Sequence, residues 1–261
     1  MKRYAAPLIL LAALAALAVV GTAGANHQVK SPVKGSFRYC SDPTFPPMES
    51  TTTAGKPTGF DIDMANAIGK FWKVKANFVQ TAFPGLLPAL SAKKCNMVIS
   101  GIFITPDRVK SFPAVSYMKT HRALVVQAGN PKKIKGPNDL SGKLVAVQAG
   151  TKYEEYLKAL KGKLGFSLQS YPGDNDAVAQ VILGRADAVL TQDTSFAYQA
   201  KAHPGKIAVG YTFPAKDTFG IYYRKGDALG TQIKSGVAKL ASDGTLAKLA
   251  AKYKIPVADV Q

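Results

Sequence analysis

The sequence predicts an α/β protein of two lobes, each a mostly parallel sheet flanked by helices, with a cleft between them. Three observations predict it. Short apolar runs of strand length alternate with helical stripes over residues 36–127. A break at Gly129-Asn130-Pro131 is followed by a second such series over 144–209. A last strand at 220–223 reads as a return to the first lobe, so two extended crossings, near 121–127 and 215–223, form a two-segment hinge. The expected lobe boundaries are 26–124 with 218–261 for lobe 1, and 125–217 for lobe 2.

The elements follow in order. Residues 36–40 form a strand, and 41–56 a loop rich in Pro, Thr and Gly. Ile62, Ala65, Ile68 and Trp72 recur at helical spacing, which predicts a helix over 61–72. A strand at 75–79, a short helix at 85–93 and a buried apolar strand at 97–100 complete the first series. A strand at 122–127 leads out of it. In the second series, strands fall at 144–148, 168–171, 186–191 and 207–209, and helices at 151–160, 176–183 and 194–202. Two helices fill 229–254, separated near Ser242-Asp243-Gly244.

Lys2 and Arg3, the uncharged apolar run 8–20 and the A-x-A pattern Ala23-Gly24-Ala25 form a secretory signal, with the mature chain expected to start near Asn26. The run is shorter than the ~20 residues a membrane span needs. No cysteine lies near the cleavage point for lipid attachment, and export from the cytoplasm is expected. The 261-residue chain carries a formal charge of +18. Its lysines are scattered, without a basic run interleaved with aromatics, so a solvated basic surface is expected and no nucleic-acid partner. Cys40 ends one strand and Cys95 precedes another, so the pair is expected to lie too far apart for a disulfide.

In open α/β sheets ligands sit beyond the carboxyl ends of the strands. Those ends are Cys40-Ser41-Asp42, Ser100-Gly101, Gln148-Ala149-Gly150 and Thr191-Gln192-Asp193. Arg108, in Thr105-Pro106-Asp107-Arg108, offers a planar fork that matches a carboxylate. Thr151-Lys152 open a helix directly after a strand, where free N–H groups favour an anion and Thr151 is also a natural cap. Phe45 and Phe83 lie on loops, where they wall a ligand or cover core edges. Asp42 and Asp193 at strand ends can hold an ammonium or serve as turn residues. His27, His121 and His203 share no context, and no catalytic elbow, P-loop, dinucleotide fingerprint or metal motif occurs. No cofactor is expected.

With these residues noted, the chain resembles the bacterial family 3 of extracellular solute-binding proteins, the polar amino-acid-binding proteins of ABC importers. The resemblance rests on the run from Cys40 through Pro46-Pro47-Met48-Glu49, on Gly59-Phe60-Asp61-Ile62-Asp63, on Ile99-Ser100-Gly101 through Arg108, on Val147-Gln148-Ala149-Gly150-Thr151 and on Gly184-Arg185-Ala186-Asp187-Ala188-Val189. It implies a type II periplasmic binding protein fold, a monomer that closes on an amino acid or close carboxylate analogue and delivers it to permease subunits. It also implies roles: Arg108 for the ligand carboxylate, backbone at Gly101, Thr151 and Lys152 assisting, Phe45 and Phe83 as walls, Asp42 at the distal end. Two positions depart from the family pattern. Phe103 stands where a Thr or Ser usually meets the α-amino group. Gln192 stands where the amine-binding Asp falls, with Asp193 next to it as a substitute. An exported dehydratase on the same fold is the alternative, with Asp193 or Glu49 as its acid or base, and a sensor protein feeding a receptor is another.

Overall fold

The structure, a computed structural model, describes Met1 and residues 33–260. The expected signal and cleavage point, apart from Met1, lie outside the described residues. Strand β1 (Ser36–Ser41) enters a small antiparallel sheet of β2 (Thr44–Phe45), β3 (Glu49–Thr51) and β4 (Pro57–Thr58), then α1 (Phe60–Trp72). Helix α1 buries Ile62, Ala65, Ile68 and Trp72, the predicted stripe, and stops where Lys73 turns left-handed and its N–H bonds back to Lys70. Trp72 meets Phe37 of β1 edge-on at 5.1 Å. Burying an apolar side chain the size of Phe37 stabilises the fold by roughly 1.5–3 kcal/mol.

Next come β5 (Lys75–Gln80), a 3₁₀ turn (Phe83–Gly85), α2 (Leu86–Ser91), β6 (Met97–Val98), α3 (Pro106–Ser111) and the long β7 (Ala114–Gln127). The second series is β8 (Leu144–Gln148), α4 (Lys152–Leu164), β9 (Ser167–Tyr171), α5 (Asp174–Ile182), β10 (Ala188–Gln192), α6 (Asp193–Ala202) and β11 (Ile207–Tyr223). Helices α7 (Leu229–Ser242) and α8 (Thr245–Tyr253) close the chain and pack with α1 on lobe 1.

The strands order as β5-β1-β6-β11-β7-β10-β8-β9. On the first lobe β1 is parallel to β5 and β6, and on the second β8 is parallel to β9 and β10. The hinge is more continuous than the sequence suggests. Strands β7 and β11 pair antiparallel through both lobes, where separate strands at 122–127, 207–209 and 220–223 were expected. The pairing skips between Thr212 and Lys216, around Pro214, which has no N–H for the ladder. That gap and the polar Lys216-Asp217-Thr218 make the segment read as loop.

The expectation of unpaired cysteines is overturned. Cys40 and Cys95 form a disulfide with Cα atoms 5.7 Å apart. Cys95 is not collinear with β6. The turn after α2, with Lys93 left-handed and Lys94 N–H donating to the Ala89 carbonyl, folds the chain back over the sheet face. Cys95 therefore joins Leu86, Leu90 and Val98 in the cluster that covers Cys40.

Candidate functional site

Nine of the twelve predicted site residues surround one small cavity between the lobes, about 20 Å³ in volume: Phe45, Phe83, Gly101, Phe103, Arg108, Gln148, Thr151, Lys152 and Gln192. Tyr153 and Asp174 complete its wall.

Arg108 sits in the first turn of α3, which Pro106 starts. One of its Nη atoms donates to the Phe103 carbonyl at 3.1 Å, and its guanidinium lies 5.9 Å from the centre of the Phe83 ring. Burial pulls its pKa down from the usual value. Among the described residues no carboxylate stands within ion-pair distance of it. A half-buried fork of donors with open positions is suited to an incoming carboxylate.

Gly101 takes φ +50°, and a Cβ there would come within 2.7 Å of the Phe45 ring. Its N–H donates to Asp61 Oδ2 at 2.7 Å, so it is turned away from the cavity. Ser100 does not line the cavity. It is fully buried, its Oγ accepts the Asp42 N–H and donates to Glu49 Oε1, both at 2.9 Å. Tyr117 adds a hydroxyl to Asp61 at 2.8 Å. Burial pushes the pKa of Glu49 well up and that of Asp61 up, Glu49 further because it faces Asp61. These carboxyls hold the cleft floor from behind.

Asp42 is likewise one layer back. Its Oδ2 accepts the Phe83 N–H at 2.9 Å and the Gln148 side chain at 3.0 Å, and burial raises its pKa. The Gln148 contact crosses from one lobe to the other, as does Lys152 Nζ to Asp107 at 2.7 Å. Gly150, at φ +74°, permits this approach, since a Cβ would sit 2.8 Å from Pro84.

Thr151 is the cap of α4: its Oγ1 accepts the Glu154 N–H at 3.1 Å and donates to the Gln148 carbonyl. As at any helix start, the N–H groups of Thr151 and Lys152 precede the first intrahelical bond. Phe103 stacks on Phe219 at 5.4 Å and meets Tyr153 edge-on at 5.2 Å, which makes it an aromatic wall.

Asp193 is the clearest correction. It faces the hinge, where Oδ1 accepts the Thr120 hydroxyl and the Thr194 N–H, and Oδ2 accepts the His121 N–H. The carboxyl that lines the cavity is Asp174 at the start of α5. Its oxygens accept hydroxyls from Thr191 and Ser195, both at 2.6 Å, and burial pushes its pKa up to about 6. Beside it, Gln192 Oε1 is buried without a hydrogen-bond partner among the described residues. The missed signal is a strand end, Tyr171-Pro172-Gly173, leading into Asp174 as a helix start, the same pattern that marked Gly150-Thr151. Among the described residues no His, Cys, Asp and Glu group is arranged to hold a metal, and no helix is long and apolar enough to cross a membrane.

A two-lobed α/β trap with an unpaired Arg on one lobe and carboxyl and amide acceptors on the other defines the solute-binding class of protein. Residues 37–255 match the model for bacterial extracellular solute-binding proteins, family 3, and the chain belongs to that family. It is 30% identical over 233 residues to the L-cystine-binding protein TcyJ of Escherichia coli (strain K12), covering 88% of this chain and 86% of that one. An ancestral arginine-binding protein bound to arginine superposes with a TM-score of 0.80 at 32% identity, over 84% of this chain and 98% of the other. The ancestral amino acid-binding protein AncCDT-1, a precursor of cyclohexadienyl dehydratase, superposes with a TM-score of 0.78 at 34% identity, over 84% and 95%. The fold and the amino-acid-binding class thus agree with the resemblance read from the sequence.

Proposed function

We propose that the protein captures a free amino acid outside the cytoplasm and hands it to the permease of an ABC importer, working as a periplasmic monomer. One observation carries this reading. Across a single small cavity, an Arg108 guanidinium without a carboxylate partner faces an Asp174–Gln192 acceptor pair on the opposite lobe. That arrangement complements a zwitterion: carboxylate to Arg108 and the N–H groups of Thr151 and Lys152, ammonium to Asp174 and Gln192. The aromatic walls Phe45, Phe83 and Phe103 then take the side chain, with lobe 1 formed by 26–124 and 218–261 and lobe 2 by 125–217. The cystine- and arginine-binding relatives support an amino-acid ligand. The two acids considered for an enzymatic role are badly placed for it, since Glu49 is sealed beneath Ser100 and Asp193 faces the hinge.

The test is titration of ligand-stripped protein with amino acids and their deaminated analogues. Arg108→Ala weakens binding by about 2 kcal/mol or more, the scale for removing one partner of a buried charge pair. Near-native affinity in that variant, or stabilisation by amine-free carboxylates alone, would refute the assignment. Turnover of a bound cyclic carboxylic acid would replace it with the enzyme.

A further inference from the structure

A second groove, about 610 Å³, opens between the lobes beside the hinge. One wall is α6 of the second lobe, with Ala197 and the exposed Tyr198. The other is Pro47 with the chain after α8, including Ile255, from the first. Its mouth carries Lys201 from α6 and Lys254 from the end of α8. A third lysine there, Lys252, is already paired with Asp63.

We propose that this groove binds a small organic anion, its charged head held between Lys201 and Lys254 and its flat apolar body against Tyr198, Ala197, Pro47 and Ile255. Charge complementarity argues for it. Among the described residues neither Lys201 nor Lys254 has a carboxylate within ion-pair distance. The two stand close enough that Lys254 lowers the pKa of Lys201. The acid that also lines the groove, Asp193, lies eight residues earlier on α6, ~12 Å away along the axis. It is already occupied by Thr120, Thr194 and His121. Tyr198 offers a ring face on which a planar body stacks.

The two ammonium groups come from different lobes, so only the closed arrangement gathers them. An anion there favours closure, and by linkage it tightens binding in the main cleft by the factor that a cleft ligand tightens the anion.

The probe is naphthalene-2-sulfonate, titrated calorimetrically into the purified protein. One saturable site is expected, weakened by salt. Lys201→Gln and Lys254→Gln each reduce affinity by up to about fivefold, whereas Arg108→Ala retains saturable binding. Both lysines are exposed, so folding of the variants is checked by circular dichroism. Absence of saturable binding overturns the proposal. So does wild-type affinity in the double Gln variant, or equal binding of neutral 2-naphthol. Loss of the probe in Arg108→Ala places it in the main cleft and overturns the groove assignment while leaving the amino-acid reading intact.

Discussion

Replacing Asp174 by Asn should stabilise the ligand-free protein and cripple binding at once. Asp174 is 3% exposed, and burial lifts its pKa from 3.8 to about 6. The fold keeps its proton to higher pH than the unfolded chain does. Stability is therefore full below about pH 4, falls as pH rises to about 6 and stays reduced above. A shift of about 2 units at 1.36 kcal/mol each makes the ionised side chain cost about 3 kcal/mol at pH 7. Asn removes that cost. It disturbs the bonds from Thr191 and Ser195, at about 1 kcal/mol each. The net gain at pH 7 is about 1 kcal/mol, and it reverses toward a loss of about 2 kcal/mol near pH 4, where the wild-type carboxyl is protonated and only the disturbed bonds count. Glu49 and Asp61 also titrate from buried positions, so only this difference isolates Asp174. Ligand affinity should run the other way. A bound ammonium favours the carboxylate, so wild-type binding strengthens as pH rises through about 6, and the Asn variant loses both the affinity and the pH dependence. Urea titrations at pH 5 and 7, paired with calorimetry, measure both. A variant that is destabilised at pH 7, or that keeps wild-type affinity with its pH dependence, refutes the reasoning.

Reduction of Cys40–Cys95, or Cys40→Ser with Cys95→Ser, should cost about 4 kcal/mol for the 55-residue separation it closes, read as a fall in the denaturation midpoint. Gly150→Ala should weaken ligand binding at least tenfold, because its Cβ would meet Pro84 only when the lobes meet, while the left-handed φ of +74° adds a stability loss of about 1–2 kcal/mol that urea titration reads separately; unchanged affinity would show that closure does not need that approach. Asp107→Asn removes the exposed link to Lys152, and its effect on affinity should stay within about 1 kcal/mol and vanish in high salt.

The order of elements was legible because each buries one face at a regular period, as α1 does with Ile62, Ala65, Ile68 and Trp72. The position of Arg108 on the cavity wall was legible too, since it is placed by a Pro-started turn that the sequence announces. The acidic half was not. Gln192 and Asp193 are neighbours at the end of an extended strand, where successive side chains point to opposite faces. Once Gln192 lines the cleft, Asp193 must face the hinge, and which of the two turns inward depends on the sheet, not on composition. Asp174 escaped because α5 begins two residues before the expected helix, which left its first-turn carboxyl in a loop. Cys95 escaped because a turn that doubles back over a sheet face leaves no periodic trace.

The misplaced acids also bear on why a ligand closes this protein. Asp42 and Asp174 come from different lobes and each is buried; Asp42 raises the pKa of Asp174, and Asp176 in the same first turn of α5 raises that of Asp42 once the lobes meet. Without a cation nearby, closure forces two carboxyls either to take up protons or to repel in a poorly solvated space. Separation returns at least part of each to water. A ligand ammonium placed at Asp174 removes that penalty only in the closed arrangement, and a ligand carboxylate does the same for the uncompensated Arg108. A ligand shifts a conformational equilibrium only by its differential affinity for the two states. Here the difference is built into charges of both signs, so on the proposed reading a molecule bearing only one of them should close the lobes weakly.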